Sequence, residues 1–184
     1  VEEAGTGMAL LSQTIQQNFG IEIDGYIRMD FAGFEALIDA VGGVNIDVPY
    51  IVEDYDYPTF DYGTIHIRFE TGWQSMDGER ALIYARTRHG DDDYRRAERQ
   101  QQVLSAFVSR SINPLTWGNI LVTVSQSVET NLSVWDMMMI APTAFFSTGR
   151  FNQLVINRDY ILAGTNGPIP DYNKIAPFIT ENFD

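Results

Sequence analysis

The sequence predicts an α/β fold, a single domain in which a mixed central sheet is covered by helices on both faces. Three observations predict it. The apolar period switches from two to the helical spacing and back to two between residues 21 and 48. Further short alternating runs and longer helical stripes follow. No repeat, low-complexity tract or linker interrupts the 184 residues, so the elements have one chain-long core to share.

Met8, Leu11, Ile15 and Phe19 form the first helical stripe. From Ile21 to Phe31 the apolar residues Ile21, Ile23, Ile27, Met29 and Phe31 alternate with Glu22, Asp24, Arg28 and Asp30. That is a strand with one buried face. Phe34, Leu37, Ile38 and Val41 then make a helix that ends at Gly42-Gly43. Val44–Val48 is a second strand, and the connection is too short to show whether the two strands are parallel neighbours.

Residues 53–64 are rich in acids and aromatics and read as a solvated loop without the ligand spacing of an EF-hand. Ile65, Ile67 and Phe69 alternate as a strand. Helical patterns return from about Asp77 to Tyr84 and from about Asp92 to Ile112. Asn113-Pro114 caps and opens a helix to about Val128. Ser133 and Asp136 form a capping box for another, to about Phe146. Phe151–Asn157 is a late strand, and Lys174–Phe183 a closing helix. The Met137, Met138, Met139 and Trp135 group reads as core.

The net charge of −13 argues against general binding to nucleic acid or anionic membrane, which needs diffuse positive surface. There is no cysteine, so disulfides and thiolate metal sites are excluded. His66 and His89 are too few for a histidine-rich metal site, and no GxSxG, Walker or HExxH motif occurs. The stretch Met137–Phe146 is too short to span a membrane and contains Pro142. The chain enters a helical pattern almost at once after Val1, and reads as a piece of a longer protein.

Against this acidic background, six of eleven arginines fall between Arg80 and Arg99. Arginine's planar fork binds carboxylate or phosphate oxygens in pairs, so the segment is a candidate anion site. With Val103, Leu104, Phe107 and Val108 as the inward face of its helix, Asp93, Arg96 and Gln100 are expected to point to the core side. Arg95 and Arg99 are then expected on a flank, with Arg95 pairing Asp91 or Glu98. If residues 86–88 are extended, Arg86 and Arg88 point the same way and converge with Arg96 and the helix amino end on one anion. The other reading is a network of ion pairs to Asp91, Asp92, Asp93 and Glu98 with no ligand. Spacing leaves both open.

The run YARTRHGDDDYRRAERQQQVL resembles the signature of the LytR–CpsA–Psr family of bacterial cell-wall glycopolymer transferases. DGYIRMDFAGFEALIDAVGGVNIDVP and MDGERALIYAR resemble it too, in the same order. The resemblance implies an α/β fold and an enzyme that moves a glycopolymer, such as teichoic acid or capsule, from a polyprenyl-pyrophosphate carrier to a cell-wall acceptor such as peptidoglycan. By motif match, Arg86, Arg88, Arg96 and Gln100 grip the pyrophosphate, with Arg99 in a supporting role, and Asp93 and Arg96 are the catalytic pair. It also implies Mg²⁺, held by aspartates on strands that precede this chain, so residues 1–184 are expected to be the later portion of the domain, with no metal ligands of its own. Such a chain is expected to be inactive alone and to self-associate through its unpaired sheet edge. The parent is expected at the extracytoplasmic face of a bacterial membrane, held by an anchor outside this chain. A non-catalytic module binding polyprenyl (pyro)phosphate is the alternative. A nucleic-acid regulator, after the family's older label of transcriptional attenuator, is disfavoured by the acidity and the lack of a helix-turn-helix pattern.

Overall fold

The structure, a computed structural model, describes residues 4–59, 61–88, 93–133, 135–136, 158–164 and 167–183. His89 to Asp92, Met137 to Phe146 and Phe151–Asn157 lie outside the described residues, and so do the expectations made for them. The fold is mixed α/β, and the described residues fall into two compact units. One holds Arg28–Glu129; the other holds the residues up to Ile27 and those from Thr130 onward.

The first of these units carries the arginines. Its elements are β1 (Arg28 and Met29 of Ile27–Met29), α2 (Phe31–Ala40), β2 (Val44–Val48), β3 (Val52–Pro58), β4 (Thr64–Phe69), β5 (Gly72–Met76), α3 (Gly78–Arg86), α4 (Asp93–Ser111) and α5 (Trp117–Ser127). A helix labelled α1 (Ala4–Phe19) belongs to the other unit.

The alternation of Val44, Ile46 and Val48 puts all three in the core, and β2 pairs antiparallel with β5 in the register Val44↔Met76 to Val48↔Gly72. β3 and β4 form an antiparallel hairpin with an irregular register between Asp54 and Tyr57. The expected mixed central sheet with helices on both faces is therefore not what the described strands build. They pair two at a time as antiparallel partners, and the β3–β4 pairing resumes beyond its bulge at Tyr57↔Ile65.

Two further expectations change. Only Ile27–Met29 of the expected strand 21–31 is a strand, and Ile23, Ile27, Met29 and Phe31 are exposed. Asp30 ends it by capping α2, its carboxylate accepting the Gly33 N–H at 2.8 Å, which draws Phe31 into the helix. The acidic–aromatic segment is the β3–β4 hairpin rather than a loop. Its bulge hides the alternation, yet Val52, Asp54 and Tyr57 all face inward.

The remaining helices follow their sequence signals. Leu37, Ile38 and Val41 are buried, and Gly42 and Gly43 turn the chain at φ 78° and 81°. Asp77 caps α3 through the Arg80 N–H at 2.9 Å. Gly78 N–H reaches Asp39 Oδ1 at 2.8 Å, and a Cβ there would run into the Glu35 backbone carbonyl. That close approach locks α3 against α2. The shared core is Ile38, the three β2 valine and isoleucine positions, Val52, Tyr57, Ile67, Phe69, Met76, Ala81, Tyr84, Ala85 and Val103.

In the other unit, Phe19 of α1 meets Tyr172 with ring centres 6.2 Å apart. The strands Ile161–Gly164 and Gly167–Pro170 pair as an antiparallel hairpin, and Ile175 anchors the closing helix Tyr172–Phe183. Ser133 and Asp136 make the reciprocal bonds of a capping box, at 2.8 and 3.1 Å. No helix among the described residues is long and apolar enough to cross a membrane.

Candidate anion site at the junction of α3 and α4

The arginine cluster is built where the last turn of α3 meets the first turns of α4. Arg86 is the last residue of α3, and Thr87 leaves the helix with φ −55° and ψ 140°, its N–H still bonded to Ile83 O at 3.0 Å. This extended residue separates Arg86 from Arg88, as the sequence requires for a shared direction.

Arg88 and Arg96 come together on Asp93. Arg88 Nη2 lies 3.3 Å and Arg96 Nη1 3.1 Å from the same oxygen, Oδ1. Asp93 is the first residue of α4, so one carboxylate gathers two cations at a helix amino end. Arg88 and Asp93 are exposed and Arg96 is half-buried, so the pair of guanidiniums faces solvent. Such exposed pairs are weak, and an anion with several oxygens can displace the carboxylate.

Arg86 is held separately. Its guanidinium lies over the Phe31 ring, 4.0 Å from the centre, and Nη1 meets the Tyr57 hydroxyl at 3.4 Å. Burial pushes the Tyr57 hydroxyl up from its ordinary pKa, and the Arg86 charge works in the opposite direction. Tyr57 therefore stays protonated at neutral pH and serves as a fixed partner for Arg86. Gln100 is exposed, with Nε2 at 3.5 Å from the Ala85 carbonyl.

The expected facing of α4 is corrected by about one position. Arg99, expected on a flank, is 1% exposed, whereas Asp93 and Gln100 are exposed. Leu104 misleads the assignment: it is 59% exposed, and the inward stripe passes through Arg99 and Val103 instead. Arg99 is satisfied by main-chain carbonyls, Nε to Tyr84 O at 2.9 Å and Nη2 to Thr87 O at 2.5 Å. It thus caps the end of α3 from α4. Arg95 packs over the Tyr50 ring at 4.7 Å, a contact not among those expected for it. Arg80 stacks on Phe69 at 4.5 Å and bonds Gln74 and the Arg68 carbonyl, well apart in role from the cluster.

Sequence reasoning passed over Phe31, Tyr57 and Asp54. Asp54 is 1% exposed and accepts the Thr87 hydroxyl at 2.6 Å. Its signal was the inward alternation Val52–Asp54, masked by the bulge. Among the described residues no group of three or more His, Asp or Glu side chains is placed to hold a metal ion.

A family model described as the LytR_cpsA_psr family matches residues 2–162. The polyisoprenyl-teichoic acid–peptidoglycan teichoic acid transferase TagV of Bacillus subtilis (strain 168) is 31% identical, with 94% of this chain and 46% of that protein covered. The transferase of the same description named TagU from Enterococcus faecalis (strain ATCC 700802 / V583) is 35% identical over 73% of this chain and 43% of its own length. The chain thus spans less than half the length of these curated relatives. The crystal structure of B. subtilis TagV superposes with a TM-score of 0.74 at 27% identity, covering 97% of this chain and 70% of that one. A structure of TagT bound to LI-WTA superposes with a TM-score of 0.59 at 28% identity over 77% of this chain and 52% of that one.

Proposed function

The chain belongs to the LytR–CpsA–Psr family, and from that premise we propose that its parent protein transfers a glycopolymer from a polyprenyl-pyrophosphate carrier to a cell-wall acceptor such as peptidoglycan. The observation that carries the proposal is the meeting of Arg88 and Arg96 on one oxygen of Asp93, in a chain similar to teichoic acid transferases. Two cations from different segments are gathered by one exposed carboxylate that an anion can replace.

In this reading Arg86, Arg88, Arg96 and Gln100 bind the diphosphate, and Arg99 supports them from the core through Thr87. The acceptor hydroxyl forms a new bond to the glycan-side phosphorus as the bond from that phosphorus to the polyprenyl phosphate breaks. The glycan phosphate passes to the acceptor, and polyprenyl phosphate leaves. Arg96 stabilises the negative charge that grows on the leaving group. Asp93, released from its arginines by the incoming anion, takes the hydroxyl proton. Mg²⁺, contributed by residues outside those described, is part of the proposal as a further source of positive charge. So is the extracytoplasmic membrane location.

Mass spectrometry of lipids that co-purify with the full-length protein tests the ligand class. A polyprenyl phosphate or pyrophosphate is expected. Repeated absence of both contradicts the reading. Recovery of the lipid without any transfer activity favours the non-catalytic lipid-binding module.

A further inference from the structure

Thr87 carries no charge, yet two buried charged side chains converge on it. Its hydroxyl donates to Asp54 Oδ2 at 2.6 Å, and its carbonyl accepts from Arg99 Nη2 at 2.5 Å. Its N–H is held by Ile83 O at 3.0 Å. Thr87 is 2% exposed, and Asp54 and Arg99 are each 1% exposed. Asp54 is itself fixed, with Oδ1 accepting the Asp56 N–H at 2.9 Å. Taking charges out of water is costly, and a small apolar residue would fill the same space at lower cost. Every polar handle of Thr87 is therefore tied to a different element: α3, α4 and β3.

We propose that Asp54 and Thr87 are positioning residues for the anion site: by holding Thr87 from β3, Asp54 fixes the extended backbone from which Arg86 and Arg88 depart. The inference rests on the anion-binding reading above. Arg86 and Arg88 flank Thr87 directly, so a rotation of its backbone redirects both guanidiniums at once. The Arg86 seat on Phe31 and Tyr57 and the Arg88 contact to Asp93 both occur with Thr87 in the conformation that its three bonds hold. Long side chains pre-set in this way lose less freedom when an anion binds.

The test uses the full chain and two readouts. Calorimetry with inorganic pyrophosphate measures binding, and side-chain Nε–Hε NMR signals report the arginines directly. Thr87→Val removes the hydroxyl at nearly constant shape. It is expected to weaken pyrophosphate about tenfold and to shift the Arg86 and Arg88 signals while leaving that of Arg110 in place. Thr87→Ser keeps the hydroxyl and is expected to restore affinity to within about twofold of wild type. Equal affinity of wild type and Thr87→Val overturns the proposal, and so does equal weakening by Val and Ser. If Thr87→Val does not fold, Asp54→Asn replaces it, with several-fold weaker binding expected and unchanged binding counting against the proposal. If wild type binds no pyrophosphate, the anion reading itself fails. The positioning role is then decided by NMR, where unmoved Arg86 and Arg88 signals in the folded variant overturn it.

Discussion

The guanidinium carbon of Arg86 lies 4.0 Å from the centre of the Phe31 ring, on the residue that opens α2. Phe31 is 48% exposed, so its ring is open to a guanidinium at the surface. It gives Arg86 a flat support on one face of the guanidinium, while Nη1 meets the Tyr57 hydroxyl.

Phe31→Leu should therefore weaken pyrophosphate binding several-fold, because cation–π support of this kind is worth about 0.5–2 kcal/mol. Stability should change little, since the ring is half exposed. Calorimetry beside a denaturant melt checks both. Unchanged affinity would mean that Arg86 does not depend on this seat.

Asp93→Asn separates binding from chemistry. Removing the carboxylate frees Arg88 and Arg96 and removes a like charge from the anion's surroundings, so inorganic pyrophosphate should bind a few-fold more tightly at low salt. Transfer by the full-length protein should nevertheless fall sharply. Weaker binding by Asp93→Asn would show that Asp93 organises the arginines more than it competes with the ligand.

Gly78→Ala tests the packing that places α3. The added methyl would meet the Glu35 backbone carbonyl, and backbone cannot swing aside as a flexible side chain can. A loss of at least about 2 kcal/mol in urea unfolding is expected. A neutral substitution would contradict the close approach of α2 and α3.

The hairpin's outer face carries a pH dependence with a defined sign. Glu53 accepts from Arg68 at 2.9 Å and meets His66 at 3.0 Å, and these bonds, Arg68 first, lower its pKa below the ordinary 4.5. Its contribution to stability is therefore present above pH 4.5 and is lost as pH falls through the lowered value. The stability difference between wild type and Glu53→Gln should shrink as the carboxylate is protonated under acid conditions. A Glu53 carboxyl titrating at or above 4.5 by NMR would refute it.

What the sequence shows and hides follows from which groups do the work. β2 is readable because Val44, Ile46 and Val48 alternate without a break, and α2 and α3 because side chains form their stripes and the α3 cap. Arg99 is not readable as a buried residue, because its partners are the carbonyls of Tyr84 and Thr87, and main chain leaves no mark on composition. Leu104 adds a false signal by sitting exposed on α4. The β3 strand is hidden because its bulge puts two residues, Tyr55 and Asp56, between the inward Asp54 and Tyr57. The motif residues Arg88, Asp93 and Arg96 do meet as a cluster, whereas Arg86 has its own aromatic seat, which no spacing rule within 86–100 reveals.

Transfer of a labelled glycan from a polyprenyl-pyrophosphate carrier to peptidoglycan, compared between the full-length wild-type protein and Arg96→Ala, tests the central claim most directly. Arg96 touches Asp93 at 3.1 Å and is only half-buried, so its removal should leave the fold intact. The account predicts transfer by wild type and a loss of about a hundredfold or more in the variant. Equal rates for the two proteins, with folding of the variant confirmed, would contradict it.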